Sequence, residues 1–210
     1  MLDIIIVCED AFGLEVYWLT QEINKVQPIY HVKGFLSDRK DPFGGIPAPA
    51  PILGTIEEWK PYDAEKYVMG IRNPAEKKRV ATLFKARNAR FATLYAPWAL
   101  MLGDFSAGEG CIIANTNAKP NARFGDFVTM DMLMAESVNI GSYSTLEAFS
   151  NITSATIGEG VYVGPHAAIM ANLTIGDGAW IEAGSIVVTN VKPGVRVSGA
   201  PARKKKQEKS

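Results

Sequence analysis

The sequence predicts an α/β N-terminal domain with a small parallel sheet, followed by a C-terminal parallel β-helix. Two observations carry this expectation. In the first half, short β-branched runs alternate with segments of helical spacing, an order that builds a small parallel sheet. In the second half a six-residue apolar period takes over: Val128, Met134, Ile140, Leu146 and Ile152 fall at steps of six. After one step of five, Ile157, Val163, Ile169, Ile175, Ile181 and Val187 again fall at steps of six. Gly follows the apolar residue at Ile140, Ile157, Val163 and Ile175. Such a period fits neither a helix nor an alternating strand; it fits a β-helix in which each hexad forms one flat side and small residues sit near the corners.

Asp3 to Val7 is a short β-branched run and reads as a buried strand. Gly13 to Asn24 carries Val16, Leu19 and Ile23 at helical spacing. Tyr30 to Leu36 is a second strand ending at Ser37 and Asp38, and residues 41–51 are a Pro/Gly-rich loop. Lys66 to Ile71 reads as a strand, Pro74 opens a helix reaching about Arg87, and Phe91 to Leu94 reads as a further strand. From about Trp98 helical periodicity stops, and Met101 to Phe127 is expected to form a less regular first coil or two. The step of five between Ile152 and Ile157 predicts a local irregularity absorbed at a corner. The expected organisation is residues 1–97 as the α/β domain, 98–203 as the β-helix and 204–210 as a basic tail. The cluster from Arg203 to Lys206 reads as part of a frayed, solvated end.

Hydrophobic content of 47% and charged content of 21% are those of an ordinary soluble globular chain. Lys plus Arg and Asp plus Glu both number 22, so no global field favours nucleic acid. Cys8 and Cys111 make no disulfide framework, which suits a reducing, cytoplasmic location. The run Leu2 to Val7 is too short, and uncharged at its front, for a signal peptide, and nothing approaches a membrane span.

The stretch IGEGVYVGPHAAIMANLTIGDGAWIEAGSIVVTNVKPGVRVSGAPAR, residues 157–203, resembles the hexapeptide-repeat acyltransferases, whose fold is a left-handed parallel β-helix. The whole chain resembles one branch, the sialic-acid O-acetyltransferase and UDP-amino-sugar N-acetyltransferase group. DIIIVCEDAFGLEV stands in the place of that group's strand, glycine-rich turn and helix. KGFLSD resembles its second strand with an acidic end, and ILGTIEEW its following loop. The resemblance implies a homotrimer with acetyl-CoA in the grooves between neighbouring β-helices and a nucleotide-linked amino sugar on the N-terminal sheet. It implies no metal.

By position in the repeats, Thr145, Pro165, Ala183 and Gly184 would line the coenzyme groove. The acceptor would meet Asp10, Ala11, Phe12, Ser37 and Asp38. In that turn only Gly13 remains of the usual glycines, and two carboxylates, Glu9 and Asp10, stand in it. Base or ribose contacts therefore fit better than phosphate cradling. Arg72 and Lys77 could supply charge for a phosphate.

The resembling enzymes use a His as general base, five residues before an Ile-Gly glycine. Counting back from Gly141 places Glu136 there, with Ala135 in the place of a preceding carboxylate and Thr145 in that of a second family His. Glu136 is thus the candidate catalytic residue. An ordinary Glu, with a pKa near ~4.3, is a weak base at neutral pH. Burial, or Asp131 nearby, would raise it. His31 lies in a strand, and His166 sits where related enzymes carry His or Asn without using it as the base. The expected activity is acetyl-CoA-dependent N-acetylation of a nucleotide-linked amino sugar. The alternatives are sugar O-acetylation and a non-catalytic binding or assembly role on the same fold.

Overall fold

The computed structural model describes residues 1–118, 120–131 and 133–205, with the backbone alone for 133–136. The N-terminal part runs β1 (Leu2–Cys8), α1 (Phe12–Val26), β2 (Tyr30–Leu36), β3 (Ile52–Gly54), β4 (Lys66–Gly70) and α2 (Pro74–Ala86). Its sheet has the order β3-β2-β1-β4, and every pairing is parallel. The central strand β1 is covered on both faces, which is why it reads as a continuous apolar run. Ile4, Ile6 and Cys8 pack with α1, whereas Ile5 and Val7 pack with α2 residues Val80 and Phe84. Asn73 caps α2 by accepting hydrogen bonds from the backbone N–H groups of Ala75 and Glu76, and Pro74 occupies the first turn.

Two expectations need correction here. β3 is a strand where only a loop was expected; at three residues it is too short for a periodic signal. Phe91 to Leu94 is not a strand of the N-terminal sheet. Phe91 makes a single bridge to Tyr67, and Leu94–Tyr95 already pairs with Ile112–Ile113 in the solenoid.

The second half is a left-handed parallel β-helix with three faces. The first face, of 8 strands, runs from Leu94–Tyr95 through Ile112–Ile113, Thr129–Met130, Thr145–Leu146, Tyr162–Val163 and Trp180–Ile181 to Arg196–Ser198, ending in antiparallel Arg203–Lys204. The second face, of 6 strands, runs from Leu100–Met101 to Ile186–Val187, and the third, of 5 strands, from Ser106–Ala107 to Thr174–Ile175. The interior is one apolar column in which Leu146, Val163 and Ile181 stack. Coils lie so close that a Cβ on Gly164 would come within 2.6 Å of the Ala183 nitrogen.

Register refines the hexad pattern. Met130, not Val128, pairs with Leu146, and Ala135, not Met134, pairs with Ile152. Val128 is buried two positions ahead of the ladder residue, as Val161 is ahead of Val163. The short step after Ile152 gives a 17-residue coil, Asn139 pairing with Thr156, against 18 residues from Thr156 to Thr174, but it is not a lone irregularity: Arg123 pairs with Asn139 and Thr129 with Thr145 across only 16. Ser154 turns the corner after Ile152 at φ 46°, and its neighbour Thr153 pairs with Glu136. The stretch 101–127 is more regular than expected: its strands at Ser106–Ala107, Thr116–Ala118 and Arg123–Phe124 join the same ladders. Its register positions Ala107 and Ala118 are alanines, which hide the period. Within the described residues the charged end is likewise tied down, the Lys205 N–H donating to the Arg196 carbonyl. Lys206 lies outside the described residues.

Candidate acceptor cleft and coenzyme surface

In a parallel sheet the carboxyl ends of the strands open a crevice where the strand order reverses. Here that point lies between β1 and β4, and Glu9–Ala11 and Ile71–Arg72 lead out of it. The five acceptor candidates fall at the exits of β1 and β2, with Phe12 opening α1. Asp10 Oδ1 accepts the Phe12 N–H at 2.9 Å, and its carbonyl accepts the Gly13 N–H at 3.0 Å. A carboxylate of the chain itself thus occupies the Phe12 N–H at the start of α1, and its charge repels a phosphate at that spot. Gly13 answers a packing demand, since a Cβ there would sit 2.6 Å from Cys8 Sγ. Ser37 is buried, its hydroxyl accepting the Arg39 N–H at 3.2 Å. Asp38 Oδ1 accepts the Ile56 and Glu57 N–H groups at 2.8 and 3.3 Å, holding the turn after β3. Burial raises the pKa of Glu9 above the usual carboxylate range, while Arg39 pairs with it at 3.2 Å.

The crevice leads to the first face of the solenoid through Arg72. Its guanidinium lies 4.1 Å over the Phe12 ring, 2.6 Å from Glu15 and 3.7 Å from Glu147. Burial raises the pKa of both Glu15 and Glu147, Arg72 opposes the shift, and Asp131 adds to it. Neither cation expected to serve a phosphate is free for it. Lys77 is fully buried, its Nζ donating to Thr129 Oγ1 at 2.9 Å, Thr145 Oγ1 at 2.7 Å and the Ser144 carbonyl at 3.3 Å. Thr145 is also fully buried and donates to the Arg72 carbonyl at 2.5 Å. Its side chain is therefore enclosed beneath α2 rather than facing a groove.

The other coenzyme candidates do meet. Pro165, Ala183 and Gly184 share the corner between the first and second faces, where the Gly184 N–H donates to the Pro165 carbonyl at 2.8 Å. Gly184 has φ 65°, and its neighbour one coil earlier, His166, has φ 57° and stacks on Phe149 at 4.8 Å. Glu136 closes the strand Leu133–Glu136 on the second face; its side chain lies outside the described residues. His31 pairs with Asp3 on the exposed edge of β2 at 2.9 Å. Sequence reasoning missed the set Glu15, Arg72 and Glu147, whose members come from α1, the exit of β4 and the solenoid and share no spacing.

These features define a left-handed β-helix protein with an N-terminal α/β domain. Within that class the chain resembles the hexapeptide-repeat sugar acetyltransferases. It is similar to the acetyltransferase domain of PglB from Neisseria gonorrhoeae, solved with acetyl coenzyme A: TM-score 0.82, 17% identity, covering 97% of this chain and 98% of that one. It is similar also to PerB from Caulobacter crescentus, solved with CoA and GDP-perosamine: TM-score 0.78, 16% identity, covering 97% of each chain. In sequence, 81 residues are 42% identical to serine acetyltransferase of Buchnera aphidicola, 38% of this chain and 29% of that protein. The match thus spans less than a third of that relative. No family model matches the chain. Among the described residues, no helix is long and apolar enough to cross a membrane.

Proposed function

We propose that this chain is a cytoplasmic acetyl-CoA-dependent N-acetyltransferase acting on a nucleotide-linked amino sugar. The observation that carries this reading is the full-length agreement in fold, both halves included, with PglB and PerB. In this reading the N-terminal α/β domain holds the nucleotide end of the acceptor and the β-helix, which begins at Leu94 rather than at 98, carries the coenzyme. Asp10, Ala11, Phe12, Ser37 and Asp38 border the base and ribose, because the Asp10 carboxylate at the start of α1 disfavours phosphate. Pro165, Ala183 and Gly184 carry the pantetheine arm, with Thr145 supporting the wall from within.

The neutral amine attacks the thioester carbonyl. A C–N bond forms, the C–S bond breaks, and coenzyme A leaves as thiolate and takes up a proton. The proton lost from nitrogen passes to Glu136 or to water. The site is completed by a homotrimer, in keeping with the closed symmetry general to oligomers. In its support, the second face and its corners expose Leu100, Phe149, Met170, Ile186 and Val188, an apolar surface that a second copy would cover.

Coenzyme A release measured against a panel of nucleotide-linked amino sugars and their hydroxyl counterparts tests the proposal. Release with at least one amino sugar and none with its hydroxyl counterpart is expected. Release with the hydroxyl sugars alone would make the chain an O-acetyltransferase, and none with any sugar would end the proposal.

A further inference from the structure

A cavity of about 250 Å³ lies between α1 and the first face of the solenoid, within one subunit. It is smaller than the pockets that hold drug-sized ligands, and suits one sugar ring rather than a whole nucleotide sugar. Trp18 and Trp98 stand at its wall with 58% and 50% of their surface exposed. Exposed indoles beside a cavity offer flat apolar faces to a ring's C–H groups.

The polar groups are held in place. Trp98 Nε1 donates to Asn115 Oδ1, and Asn115 Nδ2 donates to Asp131 Oδ1 at 2.9 Å. Among the described residues Asp131 makes no ion pair, and its Oδ2 accepts no hydrogen bond. Glu15 lines the same cavity, with Arg72 on its far side. Thr129, its hydroxyl held by the buried Lys77, is itself buried at this wall. A fixed carboxylate, a second carboxylate and two indoles together match a small ring bearing an ammonium and hydroxyls.

We infer that this cavity binds the amino-sugar ring of the acceptor, its ammonium on Asp131 and Glu15 and its ring against Trp18 and Trp98. The inference rests on the proposed function for the acceptor's identity, but its binding test does not need catalysis. Glucosamine, glucose and N-acetylglucosamine are titrated into the full chain without coenzyme, reading tryptophan fluorescence. Saturable quenching is expected for glucosamine, tighter than for the other two by at least about tenfold, the worth of a charge-assisted hydrogen bond. Asp131→Asn keeps the contact with Asn115 and should erase that preference, with acetyl-CoA binding unchanged. The double variant Trp18→Phe, Trp98→Phe should remove the quenching.

Equal binding of glucosamine and glucose, or an undiminished preference in Asp131→Asn, would overturn the inference. So would quenching that survives the double Trp variant. Acetyl transfer measured on the same preparations separates the two ideas. Activity with an amino sugar whose KM is unmoved by Asp131→Asn overturns the cavity assignment alone. An Asp131-dependent glucosamine preference with no transfer to any sugar supports the cavity and ends the proposed function.

Discussion

Lys77 shows how a single residue can bind the two halves together at a cost. It comes from α2, yet its three hydrogen bonds go to residues of the solenoid, and among the described residues no carboxylate lies within ion-pair distance. Burial pushes its ammonium down to about 7. Below about pH 7 folded and unfolded chains both carry the proton, and the desolvation cost is present in full. Between about pH 7 and the ordinary lysine value near ~10.4 the unfolded chain binds more protons, so stability rises with pH. Lys77→Met should flatten that rise, because a thioether binds no proton anywhere in this range. Urea denaturation at pH 7 and 9 checks it; a wild type that gains no more stability than the variant would refute it. Glu136 invites the second test at this scale. Glu136→Gln should lower the rate at neutral pH by at least about tenfold, with acetyl-CoA affinity unchanged and partial rescue at higher pH. His166→Asn should do much less. Full activity in Glu136→Gln would mean that the amine loses its proton to water before binding.

At the scale of elements, the solenoid's corners are strained by design of their stacking. Phe127 and Tyr143 take φ 57° and 63°, a conformation that β-carbon sterics disfavour, and stack on each other at 5.5 Å. Phe127 also meets Phe91 edge-on at 4.8 Å and lies under Lys85, so this corner anchors the α/β core to the solenoid. Phe127→Ala should cost roughly 3–5 kcal/mol. Phe127→Gly should cost less than Phe127→Ala by about 1 kcal/mol, because glycine relieves the left-handed strain. Denaturant midpoints of the two variants decide this, and the reverse order would show that packing alone sets the corner.

At the scale of the molecule, the unexplained surface is the apolar second face. A homotrimer at micromolar concentration is expected by sedimentation, and a monomer would end that expectation. Ile186→Arg places a charge on a residue that is 41% exposed in the lone subunit, so it should leave the fold intact while shifting the trimer toward monomer. Circular dichroism beside sedimentation separates dissociation from unfolding.

The two-part plan, β2 to the residue, the α2 start at Pro74, and the solenoid with its short step after Ile152 are all legible in the order of the amino acids. Those features are local or periodic: each hexad meets the next coil 16 to 18 residues on, so a spacing repeated with small slips encodes most of the ladder. The first coils were hidden because Ala107 and Ala118 stand where larger apolar residues would mark the period. Packing alone shows that Leu94 belongs to the solenoid, that Thr145 and Lys77 are sealed in the seam, and that Asp10 holds the Phe12 N–H at the start of α1. It alone brought Glu15 and Trp18 of α1 to Trp98, Thr129 and Asp131. Those residues meet because α1 packs across the first face, and a contact made by docking one element on another leaves no period in the chain.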